Sequence, residues 1–216
     1  VHQVSADVRD QHAFTAQLAA TDRFAITPGK DLLTGLRGKD VLVVFVESYG
    51  RVAVQGSFYS PQVDAILNAG TSTLQAAGYS SKSAFLTSPT FGGISWLAHS
   101  TLQTGLWVDN VHSYGQLVSS NRFTLSDAFN NAGWRTVADV PSNEKNWPEG
   151  KTFYHYDQLY AGQNVGYAGP QFSYANMPDQ YTLAAFQRLE LAQPNHAPVM
   201  AEIDLVSSHT PRASQG

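Results

Sequence analysis

The sequence predicts an α/β domain built on a doubly wound, mainly parallel sheet with helices on both faces. Two observations carry that expectation. Continuous β-branched and aliphatic runs alternate with segments of helical period, the pattern of strands that hand over to crossover helices. Acids or hydroxyl–histidine segments then follow directly on the apolar runs, where open parallel sheets place their ligands.

The elements are read in chain order. Val41-Leu42-Val43-Val44-Phe45-Val46 is apolar on both faces, so it reads as a central strand ending at Glu47. Ser60-Pro61 reads as an N-cap followed by proline at the first helical position, with Gly78 closing that helix near Ala77. A short strand is expected around Ala84-Phe85-Leu86, before the Pro89, Gly92 and Gly93 turn. The next helix spans Ser95 to Thr104 and stops at Gly105, and another spans Thr124 to Ala132 and stops at Gly133. Arg135 to Val140 reads as a strand. Residues 141–176, rich in Tyr, Gly, Asn and Pro, show no period and read as an elaborated loop region. Pro178 to Ala192 reads as a helix, and Pro198 to Val206 as another buried strand. Residues 1–39 are expected to form a lead-in segment, and residues 40–216 the functional domain.

Composition narrows the function classes. Of the 216 residues, 43% are apolar and only 14% charged, which excludes a disordered or coiled-coil chain. A net charge of -4 with no basic stripe argues against nucleic-acid binding. No stretch approaches the roughly 18 consecutive apolar residues of a membrane span. The absence of cysteine excludes disulfides and thiolate metal sites. The sequence starts at Val1 rather than Met, so any signal or anchor is expected upstream.

Three places carry chemistry. Glu47 stands at the mouth of a strand, where a carboxylate either faces water or holds a cation. Thr90-Phe91-Gly92-Gly93-Ile94-Ser95-Trp96-Leu97-Ala98-His99 turns tightly into a helix beginning at Ser95. That serine serves equally as a helix cap or as a hydroxyl beside an anion at the helix N-terminus. Asp204 to Pro211 places His209 just beyond a strand end, as a loop residue or as a ligand-binding group.

In this order, the strand-end acid, the glycine turn into a helix closing on Leu102-Gln103-Thr104-Gly105, and the Ser208-His209-Thr210-Pro211 segment resemble the alkaline-phosphatase/sulfatase superfamily. The likeness is to its sulfatase-like branch of lipoteichoic-acid-synthase-like and phosphoglycerol-transferase-like enzymes, and it runs from about Asp40 to Pro211. The sulfatase register places the nucleophile ten residues before Gly105, at Ser95. The synthase register also lands on Ser95, with Phe91 in place of a glycine and His99 in place of an acid. Leu97 and His99 stand where formylglycine-forming sulfatases need Pro and Arg, which favours an unmodified serine and phosphoryl chemistry.

The resemblance implies an alkaline-phosphatase-like fold whose C-terminal part lies beyond Gly216, with a later Asp-His ligand pair. It implies a divalent metal ion, Mn, Mg or Zn, held by Glu47 and Ser95, and the oxygen-rich ligand set favours Mn or Mg over Zn. His209, His99 and Trp147 would bind substrate, the last from an Asn146-Trp147 segment similar to the branch's Phe-Trp-Asn. The implied activity is phosphotransfer or hydrolysis on lipid-linked or glycan phosphodiesters of the cell envelope. It would occur in an extracytoplasmic domain tethered by upstream membrane helices. The alternatives are a sulfatase, or a non-catalytic binding ectodomain that kept the fold.

Overall fold

The computed structural model describes residues 2–143, 145–172 and 176–209, with side chains from residue 9 onward. Residues 210–216, including the Thr210-Pro211 part of the motif above, lie outside the described residues.

Two compact units share the chain, one made of Val1–Glu47 with Pro89–Gly216 and the other of Ser48–Ser88. In chain order the helices are α1 His2–Ala19, α2 Arg51–Val54, α3 Ser60–Ala76, α4 Trp96–Thr104, α5 Val111–Val118, α6 Leu125–Asn131, α7 Glu149–Thr152 and α8 Asp179–Phe186. The last continues as a π-helical turn over Gln187–Leu191. The strands are β1 Val41–Val46, β2 Arg135–Val140, β3 Gln158–Ala161 and β4 Val199–Leu205. They form one parallel sheet in the order β1-β4-β2-β3.

The sheet explains the layers of the larger unit. Side chains alternate across a strand, so β4 feeds two cores at once. Met200 faces a cluster with Leu97 of α4, Leu117 of α5 and Phe129 of α6, which Phe14 of α1 also joins. Val199, Ala201 and Ile203 face the other side, against Ala185 and Phe186 of α8. Helices therefore cover both faces of a parallel sheet, as the sequence predicts.

Local signals set the helix ends. The Thr124 side chain accepts from the Asp127 N–H and the Asp127 carboxylate from the Thr124 N–H, a reciprocal cap that fixes the start of α6. Gly105 takes φ +66° and donates its N–H to the Thr101 carbonyl, closing α4 as expected.

Four expectations are corrected. First, β1 is an end strand among the described residues. Its alternate residues Leu42, Val44 and Val46 are exposed, because no further strand or helix of this unit covers that face. Second, no strand forms at Ala84–Leu86. Phe85 and Leu86 are 62% and 93% exposed, and three apolar residues without a ladder partner do not hold an extended conformation. Third, the region 141–176 is not all loop, since it contributes α7 and β3. Fourth, Ser60 does not cap forward. It is the first residue of α3, and its hydroxyl donates back to the Ser57 carbonyl at 3.0 Å.

Candidate active site

The ladder between β1 and β4 runs past the strands. The Glu47 N–H donates to Leu205 O, and the Ser208 hydroxyl donates to Glu47 O at 2.6 Å. These bonds bring the Glu47 carboxylate and the segment up to His209 to one edge of the sheet. Asp179, at the start of α8, accepts from the N–H groups of Val206 and Ser207 at 2.8 and 2.9 Å. It thereby fixes the turn that carries His209.

Ser95 arrives by a strained turn. Gly92 and Gly93 have φ +75° and +153°, and Ile94, although β-branched, has φ +50°. Ser95 itself is helical in φ and ψ and makes no side-chain capping bond. Its hydroxyl is therefore not used to end the helix, which removes the helix-cap role. It instead favours the charged form of the Glu47 carboxylate nearby.

One turn further along α4, His99 stands between two sets of carboxylates. Its Nε2 lies 3.6 Å from Glu47 Oε1, and its Nδ1 lies 3.2 Å from Glu202 Oε1 and 3.6 Å from Asp204 Oδ1. The ring stacks on Phe45 at a centroid distance of 3.8 Å and 12°. His99 is thus held by α4 above, β1 beside it and β4 below.

A cleft of about 460 Å³ opens over this cluster and contains Glu47, Ser95, His99, Trp147, Glu202, Asp204 and His209 in its lining. All five residues singled out from the sequence share it. Tyr114, Tyr154 and Tyr156 form part of its wall, and Trp147 lies 5.4 Å from Tyr154 ring to ring.

The electrostatics follow from burial and crowding. Burial alone would drive a proton off His99, but Glu202, Glu47 and Asp204 outweigh it and raise its pKa to about 10. Glu47 is pushed up by burial, yet His99 and Ser95 favour its charged form and hold it below the ordinary carboxylate range. Burial pushes Asp204 up to about 7; His99 opposes this, and Glu202, Glu47 and Asp139 add to it. Asp204 Oδ1 is buried and has no hydrogen-bond partner among the described residues.

Reading the sequence did not single out Glu202, Asp204, Tyr154 or Tyr156. The signal for the first two was present. Acids at alternate positions inside an otherwise apolar strand share one face of a buried sheet. His99, Glu202 and Asp204 each bring one donor atom to within 4.8 Å of the others, so they could hold a metal ion. The excess of buried carboxylate over cation, with an unpartnered Asp204 oxygen, fits a divalent cation in this cleft.

No protein-family model matches the sequence, and no curated protein sequence matches it. Among solved structures, the chain is similar to the lipoteichoic acid synthase LtaP from Listeria monocytogenes. The TM-score is 0.62 at 14% identity, over 93% of this chain and 47% of that one. The chain therefore shares its fold with part of that synthase, and it spans just under half the length of that synthase chain.

Proposed function

We propose that this chain carries the nucleophile half of a metal-dependent phosphotransferase or phosphodiester hydrolase. Its substrates would be lipid-linked or glycan phosphodiesters of the cell envelope. The observation that carries the reading is the joint placement of Glu47, Ser95 and His209, distant in sequence, in one cleft at the carboxyl edge of a parallel sheet. The fold shared with a lipoteichoic acid synthase supports the same reading.

In this mechanism the Ser95 hydroxyl gives its proton to the Glu47 carboxylate beside it in the cleft. The Ser95 oxygen then forms a bond to phosphorus as the bond from phosphorus to the leaving alcohol breaks, and that alcohol takes the proton from Glu47. A second alcohol or water reverses the sequence and frees the serine. The N-terminus of α4, where Ser95 stands, would turn its positive dipole end toward the developing charge. His209 binds a phosphate oxygen, and Trp147 packs against the organic part of the substrate. A divalent cation held by Glu47 and Ser95 would supply Lewis-acid stabilisation of the phosphoryl oxygens. The reading places the domain outside the cytoplasm, tethered by membrane helices upstream.

The test uses the full-length protein with phosphatidylglycerol vesicles and Mn or Mg. Ser95→Ala is expected to lower turnover by several orders of magnitude, whereas Ser95→Thr retains part of it. Melting temperature should hardly move, because Ser95 makes no capping bond. Wild-type turnover in the Ser95→Ala protein would overturn the assignment. One observation favours a second reading, a non-catalytic binding domain: His99 already places its own positive charge among the site's carboxylates. That reading expects phosphodiester binding without turnover in the wild type.

A further inference from the structure

The His99 ring divides the buried carboxylates into two groups. Glu47 and Ser95 lie on the Nε2 side, and Glu202 and Asp204 lie on the Nδ1 side. We propose that His99 Nδ1, Glu202 and Asp204 form a second divalent-cation site, separate from the position between Glu47 and Ser95. This deepens the phosphotransfer reading by giving the cleft two cation positions, but it does not depend on Ser95 being the nucleophile.

Four observations build the site. The three donor atoms lie within 4.8 Å of one another, a spread that one ion at ordinary ligand distances can bridge. Glu202 is oriented: its Oε2 accepts from Gln103 Nε2 at 2.5 Å and from the Tyr156 hydroxyl at 2.8 Å, which leaves Oε1 turned toward His99. Asp204 is 8% exposed, and its Oδ1, facing His99, has no hydrogen-bond partner among the described residues. The imidazole is fixed in plane by Phe45, with its far nitrogen facing Glu47. Metal-bound histidines commonly direct their second N–H at a carboxylate, which holds the ring and raises its basicity.

The charges close. Two carboxylates and a neutral imidazole bring a divalent cation to zero net charge, so the proton that leaves Nδ1 is replaced by the ion. Two oxygen donors and one nitrogen suit Mn or Mg better than a thiolate-seeking metal. The ligands come from α4 and β4 and lie within this chain. His99 then acts as a ligand that separates two cation positions, rather than as a phosphate-binding group.

The experiment titrates the 216-residue chain with MnCl2, followed by calorimetry and by electron paramagnetic resonance. Wild type is expected to bind Mn with a nitrogen coupling in the spin-echo spectrum. The Glu202→Gln/Asp204→Asn protein should lose about tenfold or more in affinity and lose the rise in melting temperature that Mn produces. His99→Gln should remove the nitrogen coupling, whereas Ser95→Ala, which alters only the other cation position, should keep that coupling. The isosteric variants are first checked for a cooperative melt without metal.

Mn binding unchanged in the double variant overturns the proposal, as does no Mn binding by the wild type. Binding lost in Ser95→Ala but kept in the double variant also overturns it, and leaves the phosphotransfer reading standing. Conversely, Mn bound at Glu202 and Asp204 together with full turnover in Ser95→Ala would sink the nucleophile and keep this site.

Discussion

Asp139 and Asp204 are both buried acids near the carboxyl ends of neighbouring strands, yet they serve different ends. Asp204 shares the face of Met200 and points to the cleft. Asp139 pairs in register with Ile203 and so lies on the opposite, apolar face, where neither of its oxygens has a partner among the described residues. Burial raises its pKa from an ordinary 3.8 to about 7. The folded protein therefore holds this proton more tightly than the unfolded chain does. Stability should be fully present below about pH 4, fall as pH climbs toward 7, and then level off. Asp139→Asn is expected to raise the melting temperature at pH 8, leave it nearly unchanged at pH 4, and so flatten the profile between them. An identical pH slope in wild type and variant would show that Asp139 is not carrying the proton. At this scale the sequence was partly legible. Glu47, Ser95 and His209 stand out because each follows an element boundary with its own signature. Tyr154 and Tyr156 do not, because they sit in an aperiodic segment whose place in the wall is set only by tertiary packing.

Among the elements, strands and helices with strong local signals were legible and their neighbours were not. The run at 41–46 reads as a strand from composition, but whether it is central or terminal depends on which other strands pair with it, and that is a tertiary property. β3 has only four residues, Gln158 to Ala161, and gains its order from the ladder with β2 rather than from its own sequence. α5 did carry a readable signal, since Asn110 accepts from the Ser113 N–H at its start. The turn into α4 is where local strain and function meet. Ile94 holds a left-handed backbone at 49% exposure, so its side chain repays little of that strain by burial. Asparagine tolerates this region, and Ile94→Asn should stabilise the protein by about 1 kcal/mol, read in urea unfolding. If the strain also aims Ser95, turnover of the full-length protein should fall even as stability rises. A less stable variant would show that Ile94 is held by packing rather than against its own preference.

Across the whole molecule, burial is distributed unevenly, and this sets how the chain opens. In the larger unit, β4 lies between β1 and β2 and contributes residues to both cores; Val199, Met200, Ala201 and Ile203 are each 0% exposed. In the unit Ser48–Ser88, Ser60 is the one residue that is buried. There Phe58, Ile66, Phe85 and Leu86 are 93%, 73%, 62% and 93% exposed. α3 is therefore a 17-residue helix supported almost entirely by its own backbone bonds and by the Gly78 turn that ends it. A helix of that length is marginal in water without tertiary packing. Opening α3 should cost little, whereas exposing β4 requires both cores of its unit to come apart. Amide hydrogen exchange on the 216-residue chain is expected to show β4 as the slowest segment, exchanging only through global unfolding. α3 should exchange faster by two or more orders of magnitude, a difference of roughly 3 kcal/mol. Met200→Ala should then accelerate β4 and leave α3 unchanged, because the lost contacts belong to the larger unit. Protection of α3 equal to that of β4, and lost together with it in Met200→Ala, would mean that the two units unfold as one.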